Sequence, residues 1–361
     1  MRVLIIFNHP APYKVNAFNE LAKYVDLTVL FERTKAKDRP DSFYAANEYK
    51  FKNIFLKHGY IGKEGSLSNK VRSYIKNHHK EFDVILMNGY SHLSEIKAIN
   101  YMHRHNIHFG LLINGGIVKK DSFLKFKIKT NLIKKASFYL SPSKSSNNYL
   151  IHYGAKPTKI YNYLYSNFSK NEILSSPITN KDELRETYNL PKGKRIFVNA
   201  SQFIERKNNL DLISLFKNRD EVLLLIGEGN QEKAYKNYII DNKMDNVIIK
   251  PFLKKNDLFN VLRCCDFYIT LSKEDIFGHT TLEAFANGLP VISSNKVISS
   301  LEYIENGYNG YLVDISNKED IIDKINSVKE TMSINAIKSA KNNTFESSAK
   351  SIYEVLEKIH E

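Results

Sequence analysis

Cysteine is nearly absent from this chain of 361 residues: there are two, Cys264 and Cys265, and they are neighbours. Adjacent cysteines within a helical pattern have poor geometry for a structural disulfide, so a reducing, cytoplasmic setting is expected. Long apolar runs are missing as well. No stretch approaches the roughly 20 residues that cross a bilayer, and Met1 to Phe7 reads as a short strand rather than a leader. Any membrane contact is therefore expected to be peripheral. No two aspartates are separated by a single residue, so a metal-chelated diphosphate has no evident seat and no metal is expected. Short-period repeats and low-complexity tracts are lacking too. Acids are outnumbered, with 39 Asp and Glu against 53 Lys and Arg, a formal net charge of +14. That excess implies anionic partners such as phosphates, lipid headgroups or nucleic acid, and its sign alone does not choose among them.

What is present is alternation. The length exceeds what one hydrophobic core usually serves, and 42% hydrophobic with 25% charged residues is ordinary for globular domains. In the first half the apolar runs RVLIIFN, DLTVLFE, FKNIFL, FDVILMNG, HFGLLING, SFYLSPS and IYNYLY recur between helix-length segments. They do not alternate with polar residues, which is the pattern of parallel strands covered on both faces. After Asn167 the chain turns polar and breaker-rich, placing a junction near 166–180. A second series follows: RIFVNAS, EVLLLIGEG, NVIIKPF, DFYITLS, PVISS and GYLVD. Ile352, Val355, Leu356 and Ile359 then fall at helical spacing in a terminal amphipathic segment. The expected architecture is α/β, with two doubly wound Rossmann-like domains, 1–170 and 171–344, facing across a cleft, and a helix over 345–361 packing back across them. Sheets of this kind bind ligands at the carboxyl ends of their strands.

The richest such strand end lies in residues 272–294, SKEDIFGHTTLEAFANGLPVISS. Gly278 permits a sharp turn into a helix, ended by Gly288 and Pro290. The N–H groups of Gly278, His279 and Thr280 suit a phosphate or a sugar hydroxyl. Glu283, a turn inside, suits vicinal hydroxyls such as those of a ribose, with Asp275 standing before the turn. Read alone, the segment is equally an ordinary capped helix with two solvated acids. Arg206 and Lys207 precede another helix, where two cations would neutralise a diphosphate without a metal. Gly227, Glu228 and Gly229 form a tight turn with possible backbone contact to a nucleotide, a weak signal by itself.

Taken in order, the Ser201-to-Lys207 loop, the GEG turn, a strand leading to PFL, the Asp275-to-Glu283 segment, GLPV and ENGYNGYLV resemble the donor-binding domain of retaining glycosyltransferase family 4, of GT-B fold and bacterial surface-polysaccharide type. The resemblance is strong over 194–313 and loose in the first half. It implies that Glu283 holds the ribose of a nucleotide-sugar donor, a UDP-sugar in the first instance. It also implies that Asp275 contacts the transferred sugar while Lys207 and Arg206 neutralise the leaving diphosphate. Gly278, His279, Thr280, Thr281, Gln202, Gly227 and Gly229 complete the implied donor site. Two departures stand out: Asp275 occupies a place usually held by glutamate, with Glu274 beside it as a competitor, and Gln202 replaces a usual arginine. In the family's picture the leaving phosphate itself deprotonates the acceptor, so no separate base is required.

The first half is expected to hold a saccharide or lipid-linked acceptor, with His9, Tyr13, His92, Asn114 and Gly115 as strand-end candidates. No catalytic histidine is assigned, since Asn114 to Gly116 stand where relatives carry one. Between Lys119 and Lys135 there are seven lysines and one acid among Phe123, Leu124, Phe126, Ile128, Leu132 and Ile133. Leu124, Ile128 and Leu132 share one helical face and Lys120, Lys127 and Lys134 another, which fits either a core-packed helix or one lying on an anionic membrane surface. Two competing functions remain: a sugar-nucleotide epimerase of the same fold, and a non-catalytic anion- or membrane-binding protein. No nucleic-acid-binding module is recognised.

Overall fold

The computed structural model describes residues 1–36, 44, 48–56 and 69–360. Its contacts divide into two compact units, Met1–Phe168 with Thr344–Glu361, and Ser169–Asn343. The first unit holds a seven-stranded parallel sheet in the order β3-β2-β1-β4-β5-β6-β7. Its strands are β1 (Arg2–Phe7), β2 (Asp26–Phe31), β3 (Lys52–Phe55), β4 (Val84–Met87), β5 (Gly110–Leu112), β6 (Phe138–Ser141) and β7 (Ile160–Asn162). The unbroken apolar runs are the reason: Leu4, Ile5, Val29, Leu30 and Phe31 are wholly buried, as strands covered on both faces must be. In register Val3 pairs with Leu27 on one side and Val84 on the other. The chain order reverses between β1 and β4, so the topological switch point lies there.

Helices α1 (Pro12–Leu21), α2 (Lys70–His78), α3 (Leu93–Arg104), α4 (Phe123–Ile133) and α5 (Lys144–His152) follow strands of this sheet. The terminal helix α14 (Phe345–His360) docks against α1, burying Phe345, Ala349, Ile352, Val355 and Leu356. Each of the larger side chains, Phe345, Ile352, Val355 and Leu356, contributes about 2 kcal/mol of burial. The dock is fixed further by Ser351 Oγ, which accepts from the Leu164 N–H at 3.0 Å, and by stacking of Tyr24 on Tyr353.

The second unit repeats the plan with six parallel strands ordered β10-β9-β8-β11-β12-β13. They are β8 (Ile196–Ala200), β9 (Val222–Ile226), β10 (Val247–Lys250), β11 (Phe267–Thr270), β12 (Val291–Ser294) and β13 (Gly310–Val313). Around them lie α6 (Asp182–Thr187), α7 (Asn209–Leu215), α8 (Glu232–Asp241), α9 (Lys255–Cys264), α10 (His279–Ala286), α11 (Ile298–Tyr303), α12 (Lys318–Ser327) and α13 (Ser333–Lys341). Here the order reverses between β8 and β11. Asp266, just before β11, accepts from Arg185 Nη2 at 2.7 Å, Lys181 Nζ at 2.9 Å and the Ile196 N–H at 2.7 Å, locking α6 to the start of the sheet. Both cysteines are buried free thiols at the end of α9, and burial pushes the Cys264 thiol up to about 11, which leaves it unreactive.

Candidate active site

At the second unit's switch point two loops meet, the one after β8 and the one after β11. Lys207 belongs to a short 3-10 turn, Glu205–Lys207, that Asn208 ends in a left-handed conformation at φ 58°. The backbone ties this turn to the other loop: the Lys273 N–H donates to Arg206 O at 2.8 Å, and Arg206 Nη1 donates to Glu274 O at 3.1 Å. The Lys207 ammonium then donates directly to Asp275 Oδ2, with the two side chains only 12% and 18% exposed. Of the two acids that sequence left in competition, Asp275 is the one paired with Lys207; Glu274 meets Arg206 through its backbone carbonyl.

Asp275 is itself anchored from behind. Its N–H donates to Lys296 O at 3.0 Å and its carbonyl accepts from Ile298, beside β12's continuation. Gly278, at φ 82°, turns the chain into α10, and a Cβ there would sit 2.4 Å from Val297 Cγ1. Only a residue without a side chain makes that turn against Val297. Glu283 stands within α10 and is 7% exposed, close to the buried Tyr268, whose hydroxyl donates to Ala200 O at the end of β8. Burial, with the nearby charge of Glu283, holds Tyr268 above its ordinary range. Thr280 shares a hydrogen bond with Tyr268, whereas Thr281 is buried and exchanges its hydrogen bond with Ser300 Oγ of α11 at 2.8 Å. Phe277 and His279 pack ring against ring.

The two glycines of the GEG turn have a role that spacing alone did not show. Gly227 and Gly229 adopt φ of 151° and 158°, and a Cβ on them would lie 1.9 Å from Ser201 O and 2.3 Å from Phe203 O. Their bareness lets the loop after β9 press on the loop after β8. The Phe203 N–H donates to Glu228 O at 2.8 Å, and the Gln231 N–H donates to Phe203 O at 2.9 Å. Phe203, the neighbour of Gln202, is thereby held between these partners. Beneath it Ser201 Oγ donates to Asn199 Oδ1 at 2.7 Å and accepts from Asn209 Nδ2 at 3.1 Å. Asn199 and Asn209, both fully buried, were not singled out from sequence; for Asn199, an asparagine inside an apolar strand run was the available signal.

In the first unit the strand-end candidates fall into two groups. Around β1, β4 and β5, Lys14 Nζ donates to Asn114 Oδ1 at 2.6 Å, Asn114 Nδ2 donates to Asn88 Oδ1 at 3.3 Å, and Asn88 Nδ2 donates to Leu112 O. Lys14 is buried, 4.1 Å from the Tyr165 ring centroid, and burial pulls its ammonium down to about 7. Tyr13 shares a hydrogen bond with Tyr165, and His9 Nδ1 is 3.1 Å from the Tyr44 hydroxyl. Gly115 has φ 143° in the loop beyond Asn114. His92 caps α3 beside Glu95 and Glu32. Burial first, then the charge of Glu32, pushes Glu95 up to about 8, and burial raises Glu32 likewise.

Helix α4 departs from a single apolar face. Leu132 and Ile133 are buried at its end, while Phe123, Leu124 and Ile128 are 74%, 68% and 48% exposed. Lys127 Nζ lies 4.4 Å from the Phe123 ring centroid. The last turn lies in the core and Phe126 packs against it, while the other apolar side chains of the first two turns stand out; just ahead of the helix Lys129 and Tyr153 grip Asp121. Those donors, Lys129 first, hold the Asp121 carboxyl well below its ordinary range. Among the described residues no helix is long and apolar enough to cross a membrane.

Residues 180–345 match the family described as Glycosyl transferases group 1. An uncharacterized glycosyltransferase of Methanocaldococcus jannaschii is 28% identical over 166 residues, 46% of either chain. The N-acetyl-alpha-D-glucosaminyl L-malate synthase of Bacillus anthracis is 25% identical over 178 residues, 48% of this chain and 45% of that one. The chain thus spans about half the length of the curated relatives it matches. Among solved structures, Anabaena HepE in complex with UDP superimposes with a TM-score of 0.79 at 18% identity, covering 99% of this chain and 100% of that one. The two parallel sheets are those of the GT-B fold.

Proposed function

We propose, on the premise that residues 180–345 belong to glycosyl transferases group 1, that the protein transfers a sugar from a nucleotide-sugar donor to a saccharide or lipid-linked saccharide, with retention at the anomeric carbon. A UDP-sugar is the donor of choice, supported by the UDP held in the HepE structure. The observation that carries the reading is the joining of Lys207 to Asp275 at the switch point of the second unit, with Glu283 in the helix that follows. A cation and a carboxylate side by side suit the two ends of one bond. Lys207, with Arg206, faces the charge that grows on the departing diphosphate, and Asp275 orients the hydroxyls of the sugar it leaves. As the anomeric carbon–phosphate oxygen bond breaks and the acceptor oxygen bonds to that carbon, the acceptor's proton passes to the released phosphate oxygen. Glu283 holds the ribose, and the N–H groups opening α10 bind a phosphate or sugar hydroxyl.

The acceptor is assigned to the first unit, near Lys14, Asn88 and Asn114, with His9 and Tyr13 beside them. Helix α4 meets an anionic membrane surface through Phe123, Leu124, Ile128 and the surrounding lysines, in keeping with the +14 charge. Cell-surface polysaccharide assembly at the inner face of a bacterial plasma membrane is the setting we assign. The test is incubation of the full chain with UDP-sugars and saccharide or lipid-linked acceptors, with analysis of products. Release of UDP together with an α-linked product from an α-linked donor supports the reading. An epimer formed from the UDP-sugar alone, or no turnover and no affinity for any nucleotide sugar, overturns it.

A further inference from the structure

The first unit carries a second polar cluster beyond Lys14, Asn88 and Asn114. Glu32 directly follows β2, while His92 and Glu95 open α3 beyond β4, so they gather at the ends of the two strands flanking β1. One ligand atom from each lies within 4.8 Å of the others. Both carboxylates are buried, and each has one oxygen already held in place. Glu32 Oε2 accepts from Ser94 Oγ at 2.6 Å, and Glu95 Oε2 accepts from the N–H groups of Ser91 and His92 at 2.7 and 2.9 Å. The second oxygens are left to the cluster. Glu32 Oε1 is buried and meets no donor among the described residues, and Glu95 Oε1 lies 3.9 Å from His92 Nδ1.

That span is too long for a hydrogen bond, yet it suits two atoms bound to one ion, since two bonds of about 2.1 Å reach up to about 4.2 Å apart. Carboxylates steered through their other oxygen are the usual surroundings of a protein-bound metal. Gly89 keeps the space open: a Cβ there would stand 2.7 Å from Glu95 Oε1. We propose that Glu32, His92 and Glu95 bind one divalent transition-metal ion, zinc in the first instance, which ties the end of β2 to the start of α3. The mixed oxygen and nitrogen set selects that class, because magnesium and calcium take oxygen ligands. Three protein ligands leave a fourth position for water. The site is independent of the transfer reaction proposed above, whose own test stands apart from it.

The experiment uses the untagged full chain stripped with chelator and titrated with zinc chloride, by calorimetry and thermal unfolding. One equivalent should bind, raising Tm by about 5 °C or more at saturating metal. Cobalt substitution should give visible absorption bands. His92→Ala leaves the backbone cap to Glu95 intact and should fold while losing the Tm rise and the cobalt bands. Glu32→Gln, which keeps the Ser94 contact, should do the same. Absence of saturable one-to-one zinc binding, binding unchanged in both variants, or equal binding of magnesium overturns the proposal.

Discussion

Replacing Lys207 by methionine separates a structural ion pair from a catalytic one. The methionine keeps most of the apolar stem and removes the ammonium, leaving the Asp275 carboxylate, 18% exposed, without its partner. Removing one member of a fully buried pair costs about 3–5 kcal/mol. This pair is part-buried rather than sealed from solvent, and the partial screening brings the expected cost to about 1–2 kcal/mol. For a unit of this size that is a fall in Tm of roughly 3–8 °C. Turnover should suffer more. An ammonium that meets charge developing on a leaving diphosphate is worth about 3–4 kcal/mol in the transition state, a 100- to 1,000-fold loss in kcat with a smaller change in KM. The double variant Lys207→Met with Asp275→Asn makes the distinction sharp. Pairing neutral with neutral should recover most of the lost Tm and none of the lost kcat. Both are read from thermal unfolding and from UDP release under saturating donor. If the double variant regains turnover along with stability, or if Lys207→Met keeps kcat within threefold of wild type, the assignment of Lys207 to the leaving group is wrong.

Three further outcomes follow from the geometry. Lys14 is buried with its ammonium lowered to about 7, so between pH 7 and 10.5 the unfolded chain holds a proton that the folded chain has released. The resulting penalty is fully present below pH 7 and disappears as pH rises, by up to about 5 kcal/mol. Denaturant unfolding should show Lys14→Met more stable than wild type at pH 7, with the difference shrinking toward pH 10. Gly227→Ala would drive a Cβ into Ser201 O and should cost at least about 2 kcal/mol, measured by urea unfolding, and weaken nucleotide binding with it. Phe123→Ser with Leu124→Ser should lower partitioning onto vesicles rich in anionic lipid by 10-fold or more in sedimentation, leaving turnover of a soluble acceptor unchanged.

The strands were legible because each parallel strand is an unbroken apolar run, RVLIIF or VLLLI, bounded by polar breakers, and burial on both faces demands such runs. Helix α10 was legible from Gly278 and from the Gly288 stop. The pairing of Lys207 with Asp275 was not, since it joins loops 68 positions apart and depends on where two strands end in one sheet. Periodicity in α4 placed Leu124 and Leu132 on one face, but nothing local revealed that Leu132 is covered and Leu124 is not. The burial of Lys14 left no sequence signal at all: it follows the helix-opening Pro12 as any exposed lysine would. Glu32, His92 and Glu95 likewise come together only through strand order, which local pattern does not encode.

If the loops after β8 and β11 with α10 form a nucleotide-sugar site, calorimetric titration of the full chain with UDP reveals it. Wild type should bind one equivalent. Glu283→Ala, folded as judged by circular dichroism, should lose about 10- to 100-fold in affinity, the worth of a charged hydrogen bond to the ribose. His92→Ala, in the other unit, should bind as wild type does. A wild-type chain with no affinity for UDP, or a Glu283→Ala chain with undiminished affinity, would mean that these loops are not a UDP-sugar site.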